Sequence, residues 1–259
     1  MLSEIDLFIL DMDGTFYLDD SLLPGAAELL ETLKARGKKA IFFTNNSSLG
    51  PFDYVEKLRK MGVNVSDNSV VTSGEVTAEY MLKEYGPSRI FLLGTPQLRR
   101  VFESYGHLVV DEDPDFVVLG FDKTLTYERL KKACIFLRVG KKYIATHPDV
   151  NCPSKEGPIP DAGSIMAAIE TSTGRKPDLI VGKPNPLVVE VISRKFNVPK
   201  EKMAIVGDRL YTDIKLGKNA GIVSILVLTG ETTPEDLAAS SIKPDFVFAS
   251  LKELCEAVQ

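Results

Sequence analysis

The chain has 259 residues, 44% hydrophobic and 26% charged, with a formal net charge of −5. That is enough length for one large domain or two smaller ones with a sizeable core. The acidic balance argues against a general binder of nucleic acid or of acidic membranes, and no apolar run approaches the ~20 residues needed to span a bilayer.

In chain order, the hydrophobic run Ile5–Leu10 is predicted as a buried strand ending at Asp11-Met12-Asp13-Gly14-Thr15. A polar segment, Phe16 to Leu23, follows. Pro24-Gly25 opens a helix with Ala26, Leu29, Leu30 and Leu33 at helical spacing and Gly37 as its stop. The strand Lys39–Phe43 ends at Thr44-Asn45-Asn46, and Pro51 starts a second helix. A short strand at Ser69–Val71 leads to a helix through Ala78 and Leu82. This β-α-β-α-β-α order predicts a parallel sheet with crossover helices.

The middle keeps the alternation, with strands at Ile90–Leu93, Phe116–Leu119 and Lys142–Ala145 and helices near Gln97–Ser104 and Tyr127–Val139. The stretch His147–Gly163 holds four prolines and two glycines. It reads as an irregular loop long enough to be functional. A helix follows from about Ser164 to Ser172. The last third returns to strands that end in polar residues: Leu179–Val181 before Gly182-Lys183-Pro184, and Met203–Val206 before Gly207-Asp208 with Asp213 five residues on. The strands Ile222–Leu228 and Phe246–Phe248 and a closing helix Leu251–Val258 complete the chain.

Asp11, Asp13, Thr44, Asn45, Lys183, Asp208 and Asp213 all fall just past an apolar run. In a parallel sheet such ends share one edge, so residues ~200 positions apart converge there. Four carboxylates in one place repel, raise each other's pKa values and need compensating positive charge. Lys183 offers some, and with oxygen-only donors Mg²⁺ is the natural source of the rest. Zinc does not fit, since His107 and His147 are the only histidines and neither lies near a cysteine at ligand spacing. There is no G-x-G-x-x-G dinucleotide fingerprint, no Walker loop and no G-x-S-x-G elbow. Cys134, Cys152 and Cys255 lack C-x-x-C spacing and read as reduced thiols. With no signal-peptide pattern, they point to a cytoplasmic protein.

The set DMDGT, TNNSS, VGKPNP and VGDRLYTDI resembles the haloacid dehalogenase superfamily of aspartate-nucleophile phosphatases, in its NagD-type, 4-nitrophenylphosphatase-like branch. The resemblance covers the whole chain. It implies a Rossmann-like α/β parallel-sheet core at residues 1–80 and 180–259, with an inserted α/β cap domain at 81–179. It makes Asp11 the nucleophile and Asp13 the general acid and base. Mg²⁺ would be held by Asp11, the main-chain carbonyl of Asp13, and Asp208. Asp213 would hold a metal-bound water or orient Lys183. Gly14, Thr44, Asn45 and Lys183 would bind the transferring phosphate. The His147–Gly163 loop would supply leaving-group contacts from Asp149, Asn151 and Lys155.

The expected activity is Mg²⁺-dependent hydrolysis of small phosphorylated metabolites, 4-nitrophenyl phosphate included, through an aspartyl-phosphate. Caps of this branch often mediate dimers, so a homodimer through the cap is a further expectation. Two other readings stay open at this point. One is a phosphotransferase or mutase using the same aspartate. The other is a phospho-receiver module, which the insert of ~100 residues opposes.

Overall fold

The computed structural model describes residues 2–154 and 156–258. Lys155, expected among the leaving-group contacts, lies outside the described residues. The chain divides into two compact units. One comprises Met1–Thr44, Tyr54–Val71 and Lys183–Gln259, and the other Asn45–Asp53 and Thr72–Gly182.

The first unit is built on a six-stranded sheet. In spatial order its strands are Phe246–Phe248, Val223–Val227, Met203–Gly207, Leu7–Leu10, Lys39–Thr44 and Val70–Thr72. Leu7–Leu10 is interior and pairs in parallel with Met203–Gly207 on one side and Lys39–Thr44 on the other. A parallel strand covered on both faces has no solvent side, which is why LFIL reads as an unbroken apolar run, every residue of it buried. The register sets Leu10 opposite both Val206 and Phe42. The three strands therefore run out at one level, and Asp11, Gly207-Asp208 and Phe43-Thr44 leave the sheet side by side. The helix Ala26–Ala35 packs against the closing helix Leu251–Val258.

The second unit carries a parallel five-stranded sheet ordered Leu179–Ile180, Lys142–Ala145, Phe116–Leu119, Arg89–Leu93, Leu108–Val109. Phe91, Leu93, Val117, Leu119 and Tyr143 pack with Ala133 and Leu137 of the helix Tyr127–Arg138 and with Ile165 and Ile169 of the helix Ala162–Thr173. Thr72, Thr95 and Thr126 each accept a main-chain N–H three residues on, capping the helices Ser73–Tyr85, Pro96–Ser104 and Tyr127–Arg138.

Three expectations are corrected. His147–Gly163 is not irregular throughout, because Asn151–Cys152 pairs antiparallel with Ile159–Pro160. Proline is tolerated at the end of so short an edge ladder. Gly163 does not break the chain but lies in the first turn of the helix Ala162–Thr173, which Asp161 caps. A Cβ there would stand 2.5 Å from Pro148 O, so glycine lets the loop cross the helix start. The polar segment after Thr15 turns back as a minimal hairpin, Tyr17–Leu18 with Ser21–Leu22, that buries Phe16 and Tyr17. The strand Leu108–Val109 and the helix Pro234–Ala239 are too short for periodicity to reveal. The latter is marked instead by a capping box between Thr233 and Asp236.

Leu10 is fully buried in the interior strand that sets this register. Leu10→Ala is expected to cost about 2–5 kcal/mol, read as a lowered midpoint of urea unfolding.

Candidate active site

The parallel register delivers most of the motif residues of the first unit to one place. The Asp11 main-chain N–H donates to Val206 O at 2.8 Å, so the sheet ladder extends one step past Leu10 and fixes the Asp11 backbone. Lys183 Nζ donates to Asp11 Oδ1 at 2.7 Å and to Asp213 Oδ1 at 2.6 Å. Asp213 lies in a wide π-type turn, Leu210–Ile214. Its second oxygen receives the Arg209 N–H at 3.2 Å and the Thr212 hydroxyl at 3.3 Å. Both Asp213 oxygens are thus engaged, one of them by the lysine.

Asp208 is held from two sides. Thr15 Oγ1 donates to its Oδ1 at 2.9 Å across 193 positions of sequence, and the Glu231 N–H donates to its Oδ2 at 2.8 Å. Gly14 has φ +84°, and a Cβ there would stand 2.7 Å from Asp208 Oδ2. A Cβ at Gly230 would stand 2.0 Å from the same atom. The absence of a side chain at Gly14 makes room for the Asp208 carboxylate. Asp13 is half-buried, and the Tyr17 hydroxyl donates to its Oδ2 over a long 3.5 Å. Lys57 Nζ stands 4.0 Å above the Tyr17 ring.

The electrostatics follow from burial. Asp11 is 8% exposed, Asp208 1% and Asp213 not at all. Burial, then the nearby Asp11 charge, pushes the Asp213 carboxyl up to about 7 against the pull of Lys183. Burial and Asp11 raise Asp208 as well, against the hydrogen bonds from Glu231 and Thr15. Burial is also the main cause of the raised Asp13 pKa, with Asp11 and Asp208 adding to it and Lys57 and Arg209 opposing. Burial works against the Lys183 ammonium, but Asp11 and Asp213 outweigh it and hold the charge on.

Among the described residues, Asp11, Asp208 and Asp213 each offer an oxygen within 4.8 Å of the others. The donors are all hard oxygens, and the carboxylates outnumber the cations beside them. That composition fits a hard divalent ion and not zinc. His147 is taken up elsewhere, sealed in the second unit between Thr146 Oγ1 at 2.8 Å and Asp161 Oδ1 at 2.9 Å.

The remaining expected residues are distributed as follows. Thr44 is buried at the end of the strand beside Asp11. Asn45 begins the second unit, where its side-chain amide donates to both oxygens of Asp149 at 3.3 Å and its carbonyl accepts from Ser73 Oγ. The structure thus brings Asn45 and Asp149 together. Asn151 is exposed on the hairpin, and beside it Cys152 receives the Asn46 amide at 3.6 Å.

One contributor escaped the sequence reading, the segment Thr229–Thr232. Thr229 Oγ1 donates to Gly14 O at 2.8 Å and the Thr232 N–H to Asp208 O at 3.2 Å, besides the Glu231 bond already described. The strand-end rule could have found it. Val223–Val227 is the next strand in the sheet, and Thr229-Gly230-Glu231 lies just past its carboxyl end. The Arg209 guanidinium lies 2.9 Å from Glu231 Oε2 with only 16% of the side chain exposed.

Comparison with known proteins agrees with this geometry. The haloacid dehalogenase-like hydrolase profile matches residues 8–107, and the HAD-hydrolase-like profile matches residues 180–254. A solved 4-nitrophenylphosphatase from Thermotoga maritima is 78% identical, with 100% of this chain and 99% of that one covered and a TM-score of 0.98. NagD from E. coli K-12 is 32% identical over 96% of this chain and 98% of its own, with a TM-score of 0.89. Glycerol phosphate phosphatase from Mycobacterium tuberculosis, solved in complex with magnesium, is 28% identical over 98% of this chain and 78% of its own, with a TM-score of 0.92. An acid sugar phosphatase from Staphylococcus haemolyticus is 35% identical over 245 residues, 94% of this chain and 93% of that protein. The chain therefore belongs to the haloacid dehalogenase-like hydrolase family, as one of its NagD-like phosphatases.

The raised carboxyl pKa values set a pH dependence of stability. A carboxyl that titrates near 4 unfolded and about 7 folded keeps its proton longer in the folded state. Metal-free protein is accordingly expected to be most stable below about pH 4, as far as these groups are concerned, and to lose that contribution as pH rises to about 7. Thermal melts from pH 5 to pH 8 in chelator should show the decline, and added Mg²⁺ should flatten it.

Proposed function

We propose that this phosphatase is a Mg²⁺-dependent phosphomonoesterase working through an aspartyl-phosphate on Asp11, with small phosphorylated metabolites as substrates. The observation that carries the reading is the Lys183 ammonium bound between Asp11 and Asp213, beside the buried Asp208.

Asp11 attacks phosphorus in line, forming an Asp11–phosphorus bond as the bond to the leaving oxygen breaks. Asp13 gives its proton to that oxygen, a task to which a carboxyl whose pKa is raised by burial is suited. The Asp13 carboxylate then takes a proton from water, whose oxygen attacks the phosphorus and frees Asp11. Lys183 neutralises charge on Asp11 and the phosphoryl oxygens, and Thr44 and the Asn45 main chain contribute to phosphate binding. The carboxylates of Asp11 and Asp208 and the carbonyl of Asp13 would hold Mg²⁺, which when bound supplies charge neutralisation for the transferring phosphoryl group.

The inserted unit takes the part of the cap, with Asp149 and Asn151 available for leaving-group recognition. Free cysteines and the lack of any helix long and apolar enough to cross a membrane, among the described residues, are in keeping with a cytoplasmic enzyme.

The test is release of 4-nitrophenol from 4-nitrophenyl phosphate, with and without Mg²⁺, for the wild type and two variants. Turnover should require Mg²⁺ and vanish in Asp11→Asn. Asp13→Asn should lower turnover by roughly 10²–10⁴-fold for alkyl phosphates, and less for the nitrophenyl ester, whose leaving group needs little proton help. Undiminished turnover in Asp11→Asn would rule out the covalent route, and phosphate appearing on an added alcohol would identify a transferase.

A further inference from the structure

The segment that escaped the sequence reading makes four approaches to the catalytic loops and has no catalytic group of its own. Thr229 bonds to Gly14 O, Gly230 lies against Asp208, the Glu231 N–H bonds to Asp208 Oδ2, and the Thr232 N–H bonds to Asp208 O. Besides the Thr15 hydroxyl on Oδ1, Asp208 depends on main-chain donors, and these are only as well placed as the loop that carries them. What fixes the loop is the Glu231 side chain. Its Oε1 accepts from the Tyr211 hydroxyl at 2.7 Å. Its Oε2 forms an ion pair with Arg209 Nε at 2.9 Å. Both partners belong to the segment that starts just after Asp208 and carries Asp213. One carboxylate therefore joins the loop that aims Asp208 to the turn that aims Asp213.

We propose that Glu231 is a positioning residue for the metal site, latched by Arg209 and Tyr211 so that the Thr229–Thr232 main chain presents the Asp208 carboxylate to a divalent cation. The inference rests on the reading of Asp208 as a metal ligand. Groups that orient a metal ligand without touching the metal are worth about 10–100-fold in affinity. Glu231 is half-exposed, so the lower end of that range applies.

The experiment is calorimetric titration of Mg²⁺ into metal-free wild type, Glu231→Gln, Tyr211→Phe and Asp208→Asn, with circular dichroism and melting curves confirming the fold. Glu231→Gln keeps the main-chain N–H and breaks only the ion pair. It is expected to weaken Mg²⁺ binding by about tenfold. Tyr211→Phe, which removes one hydroxyl from a half-exposed ring, should weaken it less, and Asp208→Asn should abolish it. Turnover lost by Glu231→Gln at low Mg²⁺ should return as Mg²⁺ is raised.

Wild-type affinity in Glu231→Gln, with binding abolished in Asp208→Asn, would overturn the latch and leave the metal reading standing. Wild-type affinity in Asp208→Asn would overturn the metal reading itself. If Glu231→Gln fails to fold, wild-type affinity in Tyr211→Phe overturns the latch.

Discussion

The site depends on one buried cation shared between acids. Lys183 lies within 2.7 Å of both Asp11 and Asp213, and all three side chains are nearly or fully removed from water. Removing such charges from water costs several kcal/mol per ion, and only close pairing with further hydrogen bonds recovers it. The pairing is complete for Asp213, which also receives an N–H and a hydroxyl. It is incomplete for the group as a whole, because Asp208 and Asp13 bring further negative charge. A cluster left with surplus charge is a poor stabiliser of a fold and a good receptor for a divalent ion and a phosphoryl group. Burial first, and then that surplus, raises the carboxyl pKa values.

The sheet makes the arrangement affordable by separating support from chemistry. Leu7–Leu10 and its neighbours bury apolar side chains on both faces, while the loops past their carboxyl ends hold the polar groups. The second unit treats its own share of the motif in the same manner. Residues 45–48 are stitched into that unit by the Ser73 hydroxyl on Asn45 O, Ser47 Oγ to Thr146 Oγ1 at 3.0 Å, and Thr95 Oγ1 to Ser48 O at 2.7 Å. His147 and Asp161 close the same buried network. A buried polar network of this kind holds its members in place when each is satisfied, which gives the side chains of Ser47, Thr95, Thr146, His147 and Asp161 a structural task.

How much was legible in the sequence can be judged from particular residues. The run at residues 7–10, the strand-end position of Asp11 and the convergence of Lys183 and Asp208 on it all followed from patterns that a parallel sheet imposes. Glu231 did not, because its bond to Asp208 comes from a main-chain N–H, which every residue but proline possesses, and its side chain meets Tyr211 and Arg209 only in the folded chain. Gly14 was marked as special, but the atom that excludes a side chain there belongs to a residue 194 positions away (208 − 14) and becomes known only once the chain is folded. Arg209 looked like any surface arginine until the turn at 210–214 brought it against Glu231. The hairpin at 151–160 was hidden by its prolines, whose presence says nothing about pairing at the edge of so short a ladder.

The register that sets Leu10 beside Val206 also imposes an order in time. Strands Leu7–Leu10 and Lys39–Thr44 can pair early, but the partner carrying Asp208 is translated almost 200 residues later, roughly 10–40 s at ordinary rates of synthesis. Until then Asp11 and Asp13 have neither Lys183 nor Asp208 beside them, and one long edge of the nascent sheet is bare. A growing polypeptide therefore carries Asp11 and Asp13 long before the cluster around them is complete, and that cluster forms only when the late strand has slotted in.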